Sequence, residues 1–274
     1  MIIDSHQHFW IYHPIKDAWI GEEMAVLKRN FLPQDLYPIL QSNHIDGCVA
    51  VQADQSLEES QFLLRLAEEN EFIRGVVGWV DLCSNHVEKQ IEEFAGYRKF
   101  VGVRHILQAE SKGFMLNDSF LNGISKLGQF NLTYDILVFP HQLEEVIQLV
   151  GQFPDQPFVI DHLAKPYIKK GDIDGWKKNI KTLGSHENVH CKISGMVTEA
   201  DFIEWRKDDF TPYLDVVFES FGLNRVMYGS DWPVCLLAAD YTEQKEIVDS
   251  YTSQFSKEEY NSIMGGNSEK FYRL

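Results

Sequence analysis

The sequence predicts an α/β protein, folded as a single (β/α)8 TIM-type barrel over residues 1–274. Three observations support this fold class: short β-type runs recur along the chain, stretches of helical spacing separate them, and no Pro/Gly/Ser-rich linker interrupts the series. Strand and helix alternate eight times in about 250 residues, which is typical of a closed barrel of parallel strands. The predicted strands are Met1–Asp4, Asp46–Gln52, Arg74–Val80, Phe100–Ile106, Asn131–Leu137, Pro157–Asp161, Asn188–Ile193 and Arg225–Gly229.

The individual elements follow from residue type and spacing. The strand runs are rich in Val, Ile, Phe and Tyr and are too short for helices. A helix is predicted from Ser56 to Asn70, with Ser56 and Glu59 forming a capping box, and further helices over His141–Gln152 and Phe210–Phe221. Residues after about 240 are predicted to form closing helices. An open doubly wound sheet is the alternative, but its Gly-rich phosphate turn, G-x-G-x-x-G, does not occur.

Composition excludes several classes of protein. The net charge of -16 argues against a nucleic-acid partner, and no uncharged apolar stretch is long enough to span a membrane. The four cysteines form no C-x-x-C pair, and no basic segment followed by a long apolar stretch opens the chain. We therefore expect a cytoplasmic protein with reduced cysteines, and the sequence leaves open whether it forms a homo-oligomer.

Polar and titratable side chains follow nearly every predicted strand. Because all strands of a parallel barrel end on the same face, these side chains are expected to converge there. The concentration of histidine among them is unusual. In chain order they are His6, His8, Gln52, Asp54, Asp81, Arg104, His105, Tyr134, Asp135, Asp161, His162, Ser194, Ser230 and Asp231.

The His6-x-His8 pair is the feature that most strongly suggests chemistry. Side chains alternate along a strand, so both imidazoles can point into the barrel mouth. With His162 after the sixth strand and Asp231 after the eighth, they make up a ligand set suited to catalytic zinc. In the alternative interpretation, the two histidines hydrogen-bond loop backbone and Asp231 caps the turn before Pro233.

Five segments in order, IDSHQHFW, GVRHIL, DHLAKP, CKISGM and YGSDWPV, lie between residues 2 and 234. Together they resemble the amidohydrolase superfamily, and within it the lactonase branch of sugar-lactone hydrolases. The resemblance implies a distorted (β/α)8 barrel and hydrolysis of an aldonolactone, such as L-fucono- or L-rhamnonolactone, to the free acid. It also implies that His6, His8, His162 and Asp231 are the metal ligands and that Asp231 takes a proton from the attacking water.

The chain departs from the two-metal members of that superfamily. Where those members carry a bridging lysine or glutamate after strand four and a histidine after strand five, this chain has Arg104-His105 and Tyr134-Asp135. We therefore expect at most one divalent ion, with zinc as the first choice. Some lactonases of this branch work without metal, so a metal-independent site is the alternative.

Lactone opening needs a base for the water, positive charge near the acyl oxygen and a proton for the leaving group. Asp231 is predicted to be the base, with His162 orienting it or the water. The predicted substrate contacts are Arg104, His105, Tyr134, Lys165 and Trp232.

Two other functions compete with the lactonase prediction. A metal-dependent decarboxylase or amidohydrolase of a small carboxylated substrate would use the same first-strand histidines. A catalytically silent carbohydrate-binding barrel is the non-enzyme alternative, but such a protein would not need Asp231 beside the three histidines. The sequence does not identify the sugar, its ring size or its handedness.

Overall fold

Eight parallel strands form one sheet whose order follows the chain, in a computed structural model that describes residues 1–274. Helices lie between successive strands, so the (β/α)8 prediction is confirmed. The strands are β1 (Ile3–Gln7), β2 (Gly47–Val51), β3 (Ile73–Gly78), β4 (Phe100–His105), β5 (Thr133–Ile136), β6 (Phe158–Ile160), β7 (Val189–Ile193) and β8 (Val226–Tyr228).

The barrel closes between its first and last strands. Gln7 forms a parallel bridge with Trp232. The amide of His8 donates to the carbonyl of Trp232 at 2.7 Å, and the amide of Asp231 donates to the carbonyl of His6 at 2.8 Å. These bonds extend the pairing of β1 and β8 beyond the end of β8, so residues more than 220 positions apart become neighbours.

Helices predicted from sequence spacing are present. Ser56 caps α2, because its hydroxyl oxygen accepts from the amide of Glu59 at 3.2 Å. No helix combines the length and apolar composition required to cross a bilayer. The helices are α1 (Pro33–Ser42), α2 (Leu57–Glu69), α3 (Val87–Ala95), α4 (Asp118–Leu127), α5 (Leu143–Gln152), α6 (Asp174–Gly184), α7 (Thr211–Phe221), α8 (Tyr241–Thr252), α9 (Lys257–Asn261) and α10 (Asn267–Tyr272).

The first strand differs from its prediction. It was expected to end at Asp4, where polar residues begin, but β1 runs from Ile3 to Gln7. The polar residues remain in the strand because their backbone pairs with β2, and all five residues of β1 are buried. His6 therefore lies inside a strand, where its position is more rigid than in a loop.

The core has two parts. A large cluster fills the space between the strands and the surrounding helices. A smaller cluster lies inside the barrel and includes Phe271 and Tyr272 from α10, with Ile3, Val49, Val51, Val77, Val101, Val159 and Met227. The Tyr272 hydroxyl donates to Asp135 Oδ2 at 2.7 Å. Residues from α10 therefore pack beneath the polar layer that carries the site.

Candidate active site

A cavity of about 340 Å³ opens at the carboxyl ends of the strands. Its floor includes His8 after β1, Arg104 on β4, His162 after β6 and Asp231 after β8. The walls are mixed: they include Trp10, Trp19, Leu137 and Val234, together with the polar side chains of Gln55, Gln108 and Lys165. A cavity of this size is large enough for a small sugar-sized ligand.

The four predicted metal ligands meet at this floor. Asp231 Oδ1 lies 3.4 Å from His8 Nε2, 3.8 Å from His162 Nε2 and 3.9 Å from His6 Nε2. The Nε2 atoms of His6 and His8 are 3.2 Å apart. All four side chains are buried. The structure thus brings together groups from β1, the β6 end and the β8 end, as the sequence predicted.

A buried carboxylate holds the turn that carries Asp231. Asp4 Oδ1 accepts from the amides of Ser230 at 2.9 Å and His6 at 3.1 Å. Its Oδ2 atom accepts from the Ser230 hydroxyl at 2.6 Å and the Tyr241 hydroxyl at 3.0 Å. Asp231 itself has a φ of +58°, an unfavourable value for a residue with a side chain. Asp4 thereby fixes the strand of His6 and the turn of Asp231 relative to one another.

His162 begins a left-handed turn of four residues, 162–165, that all have positive φ. Its Nδ1 atom is hydrogen-bonded to the hydroxyl of Ser194 at 2.9 Å, which sets the orientation of the ring. Gly195, which follows Ser194 in the chain, has a φ of +59°, and a Cβ atom there would lie 2.5 Å from His162 Nδ1. Only glycine leaves room for the imidazole in this place.

Below the histidines lies a buried network with two positive and two negative side chains. Lys192 Nζ is 2.5 Å from Asp135 Oδ2, 3.0 Å from Asp161 Oδ1 and 3.2 Å from His6 Nδ1. Arg104 Nη1 donates to Asp161 Oδ2 at 3.1 Å and lies 3.3 Å from His6 Nε2. Because opposite charges are paired, the network tolerates burial and holds His6 from below.

Burial and neighbouring groups determine the protonation states. Burial lowers the pKa of His162 to about 4, and it lowers the pKa of His6 well below its ordinary value. Burial by itself would raise the pKa of Asp231, but the imidazoles of His162 and His8 outweigh it and hold that pKa below its usual range. Near neutral pH the Asp231 carboxylate is therefore ionised, and the imidazoles of His6 and His162 are uncharged.

The donor set fits a divalent ion. His8 Nδ1 lies 2.7 Å from the carbonyl oxygen of Val51, which can only accept, so Nδ1 carries a proton and Nε2 is the ring nitrogen that faces Asp231 Oδ1. When Nε2 is unprotonated, its lone pair and the carboxylate oxygen repel one another unless a cation lies between them. Ligands of a tetrahedral zinc site lie about 3.3 Å apart, given bonds of about 2.0–2.1 Å. The separations of 3.2 Å between His6 and His8 and of 3.9 and 3.4 Å from these rings to Asp231 are close to that value, and the ligand atoms of these three residues all lie within 4.8 Å of one another. His162 Nε2 lies 3.8 Å from Asp231 Oδ1 and is the candidate fourth ligand.

Three predicted substrate contacts lie away from the cavity. Tyr134 is on the outer face of β5, where its ring packs between Phe120 and Phe158. His105 points away from Arg104, because side chains alternate along β4, and its Nε2 lies 2.8 Å from Glu110 Oε1. Trp232 is buried in the core, where its ring packs against the rings of Phe9 and Phe31. These positions correct the prediction that the three side chains contact substrate.

Other residues of the cavity were not predicted or were given no role. Arg104 and Lys165 line the cavity as expected. Trp19, Gln55 and Gln108 line it too, although no pattern in the sequence marks them. The sequence predicts Asp161 only as a polar residue at a strand end, because its pairing with Lys192 and Arg104 depends on which strand residues point inward.

The fold and site define a class: barrel enzymes whose reacting groups lie at the carboxyl ends of the strands. A family model described as Amidohydrolase matches residues 3–274. The chain belongs to this family.

Curated relatives and solved structures agree with that assignment. The chain is 37% identical to the L-fucono-1,5-lactonase of Burkholderia multivorans, over 99% of this chain and 96% of that protein. It is 34% identical to the L-fucono-1,5-lactonase of Burkholderia ambifaria, over 99% of this chain and 95% of that protein. A crystal structure of an amidohydrolase from Burkholderia multivorans with bound zinc superposes with a TM-score of 0.95 at 37% identity, covering 100% of this chain and 99% of that chain.

Proposed function

We propose that this protein is a lactonase that opens a small sugar-acid lactone, an aldonolactone such as L-fucono- or L-rhamnonolactone, to the free acid. The observation that carries the proposal is the ionised Asp231 carboxylate beside three imidazoles at the floor of a sugar-sized cavity. The names of the two Burkholderia relatives support the reaction and the substrate class.

Asp231 is the base in this proposal. A water held by its carboxylate and by His162 attacks the acyl carbon of the lactone and gives its proton to Asp231. When the ring C–O bond breaks, Asp231 returns the proton to the leaving alkoxide, so one carboxylate serves as base and then as acid. Ser194 and Gly195 contribute by keeping the His162 ring in place.

Positive charge near the acyl oxygen comes from the chain and from a metal. Two nitrogens of the Arg104 guanidinium already donate hydrogen bonds within the protein: Nη1 to Asp161 and Nη2 to the Gln52 carbonyl. The third nitrogen, Nε, has no hydrogen-bond partner. Lys165 lines the cavity with its Nζ 5.5 Å from the centre of the Phe139 ring, and in this proposal its ammonium contacts substrate oxygens. We propose zinc as the ion held by His6, His8, His162 and Asp231, where it would polarise the carbonyl as a Lewis acid.

The test follows acid release with a pH indicator across a panel of aldonolactones, including L-fucono-1,5-lactone. We expect turnover with at least one lactone, and a loss of about 10²–10⁴-fold in kcat for Asp231→Asn with the fold retained. Asp208→Asn, an exposed aspartate, is the matched control and is expected to behave as wild type.

Two further comparisons separate the alternatives. A chelator added to the same assay should abolish turnover if the metal is required, and restored zinc should recover it; unchanged turnover would favour the metal-independent site. No acid release from any lactone, together with CO₂ release from a carboxylated aromatic, would replace the lactonase proposal with the decarboxylase alternative.

A further inference from the structure

The segment between β1 and α1 carries an aromatic side chain to the cavity mouth. Trp19 lines the cavity, yet 49% of its surface is exposed. Its ring meets the ring of Trp10 edge-to-face, with centroids 6.2 Å apart. Trp10 is almost fully buried, and its Nε1 donates to the Arg29 carbonyl at 3.0 Å, so it provides a fixed support. Trp19 is therefore the accessible face of a supported aromatic pair.

The backbone around Trp19 is held on both sides. Asp17 and Ile20 are buried, and the amide of Ile20 donates to the carbonyl of Asp17 at 3.0 Å. Asp17 also accepts from the amide of His13 at 2.7 Å. The Trp19 ring is therefore exposed although its backbone turn is held by hydrogen bonds, and the indole projects into the mouth of the cavity.

An ion pair connects this segment to the neighbouring loop, which follows β2. Lys16 Nζ lies 3.0 Å from Asp54 Oδ2 and 3.6 Å from Glu59 Oε2. Glu59 is buried, and its Oε1 accepts from the amide of Ala53, another residue of the cavity wall. Lys16 therefore sets the distance between the Trp19 segment and the loop that follows β2.

We propose that Trp19 is a substrate-contacting residue that binds the C–H face of the lactone ring, and that Lys16 is a positioning residue that acts through Trp19. The inference rests on the proposed function and adds a recognition surface to it. A sugar ring presents C–H groups on one face, and covering that face with an indole removes apolar surface from water on both partners. The contact is to the ring and not to the reacting carbonyl, so it acts on ground state and transition state alike.

The test compares steady-state kinetics of Trp19→Ala, Trp19→Phe, Lys16→Met and the double variant Trp19→Ala/Lys16→Met on the lactone that wild type opens best. Ile15→Ala is the matched control, because Ile15 is exposed in the same segment and does not line the cavity. We expect KM to rise about 10-fold for Trp19→Ala with kcat within about twofold, because uniform binding energy is lost. Trp19→Phe should retain part of the affinity.

The double variant tests the role assigned to Lys16. We expect Lys16→Met alone to raise KM by about two- to fivefold, because a half-exposed ion pair contributes little. In the Trp19→Ala background the same substitution should change KM no further. Additive effects would overturn the positioning role of Lys16.

An equilibrium measurement provides a readout that does not need turnover. In the Asp231→Asn protein, binding of L-fucono-1,5-lactone should change the intrinsic tryptophan fluorescence, and the change should be lost when Trp19→Phe is added. A KM for Trp19→Ala equal to that of Ile15→Ala, or a loss confined to kcat, would overturn the inference while leaving the lactonase proposal intact. Failure of wild type to open any lactone would overturn the proposed function first, and the recognition surface with it.

Discussion

Tyr272 connects α10 to the buried charges beneath the site, and Tyr272→Phe removes one hydrogen bond while keeping the ring. The hydroxyl donates to Asp135 Oδ2 at 2.7 Å, and Oδ1 of the same carboxylate has no hydrogen-bond partner. In the Tyr272→Phe protein, the Asp135 carboxylate would keep only its ion pair with Lys192. A hydrogen bond to a charged group contributes about 1.5–3 kcal/mol, so we expect the free energy of unfolding to fall by about 2 kcal/mol. In a protein of this size, the melting temperature would fall by about 4 °C.

Tyr134→Phe is the matched control for this experiment. Tyr134 is equally buried, but its hydroxyl has no hydrogen-bond partner, so its removal should change the free energy of unfolding by less than about 0.5 kcal/mol. Both variants are compared with wild type by urea and thermal unfolding. Equal losses in the two variants, or no loss for Tyr272→Phe, would refute the assignment of stability to the Asp135 bond. The control also checks the placement of Tyr134, since KM should be unchanged.

Three further predictions concern the site, acid stability and a helix end. Gly195→Ala should lower kcat at least about 10-fold, because its Cβ would displace the His162 ring. Gly171→Ala is the control: Gly171 also has a positive φ, but a Cβ there would meet no other atom, so the substitution should cost only about 1 kcal/mol of stability and no activity. Burial lowers the pKa of His190 to about 4, below the 6.5 of an unfolded chain, so protons favour unfolding as pH falls from about 6.5 to 4. Between these two pH values, urea unfolding should show that the free energy of unfolding of His190→Gln falls by about 3 kcal/mol less than that of wild type. Equal losses in the two proteins would refute the role of His190 in acid destabilisation. Ser56→Ala should lower the free energy of unfolding by about 1 kcal/mol through loss of the α2 cap, measured the same way; no change would contradict the capping assignment.

The fold and the four central residues could be predicted because their signals are local or topological. Strand runs, helical spacing and the His6-x-His8 pair can be recognised in the sequence itself. Barrel topology places the carboxyl ends of strands six and eight on the same face as that pair. His162 and Asp231 thus met His6 and His8 as expected.

Substrate contacts were less predictable because a shift of one residue turns a side chain to the other face of a strand. Tyr134 and Asp135 are adjacent at the end of β5, yet only Asp135 points inward. Arg104 and His105 divide in the same way. Trp19 depends on the path of an irregular segment, for which no periodicity exists. Homo-oligomer formation stays a prediction.

The seam between β1 and β8 also affects how the protein loses activity. One carboxylate, Asp4, bonds to the backbone on both sides of that seam. If the two strands part there, the reacting groups separate while the remaining walls of the barrel keep their pairing. Turnover therefore reports whether the barrel is closed between β1 and β8. Low concentrations of denaturant should abolish activity before circular dichroism detects any loss of helix.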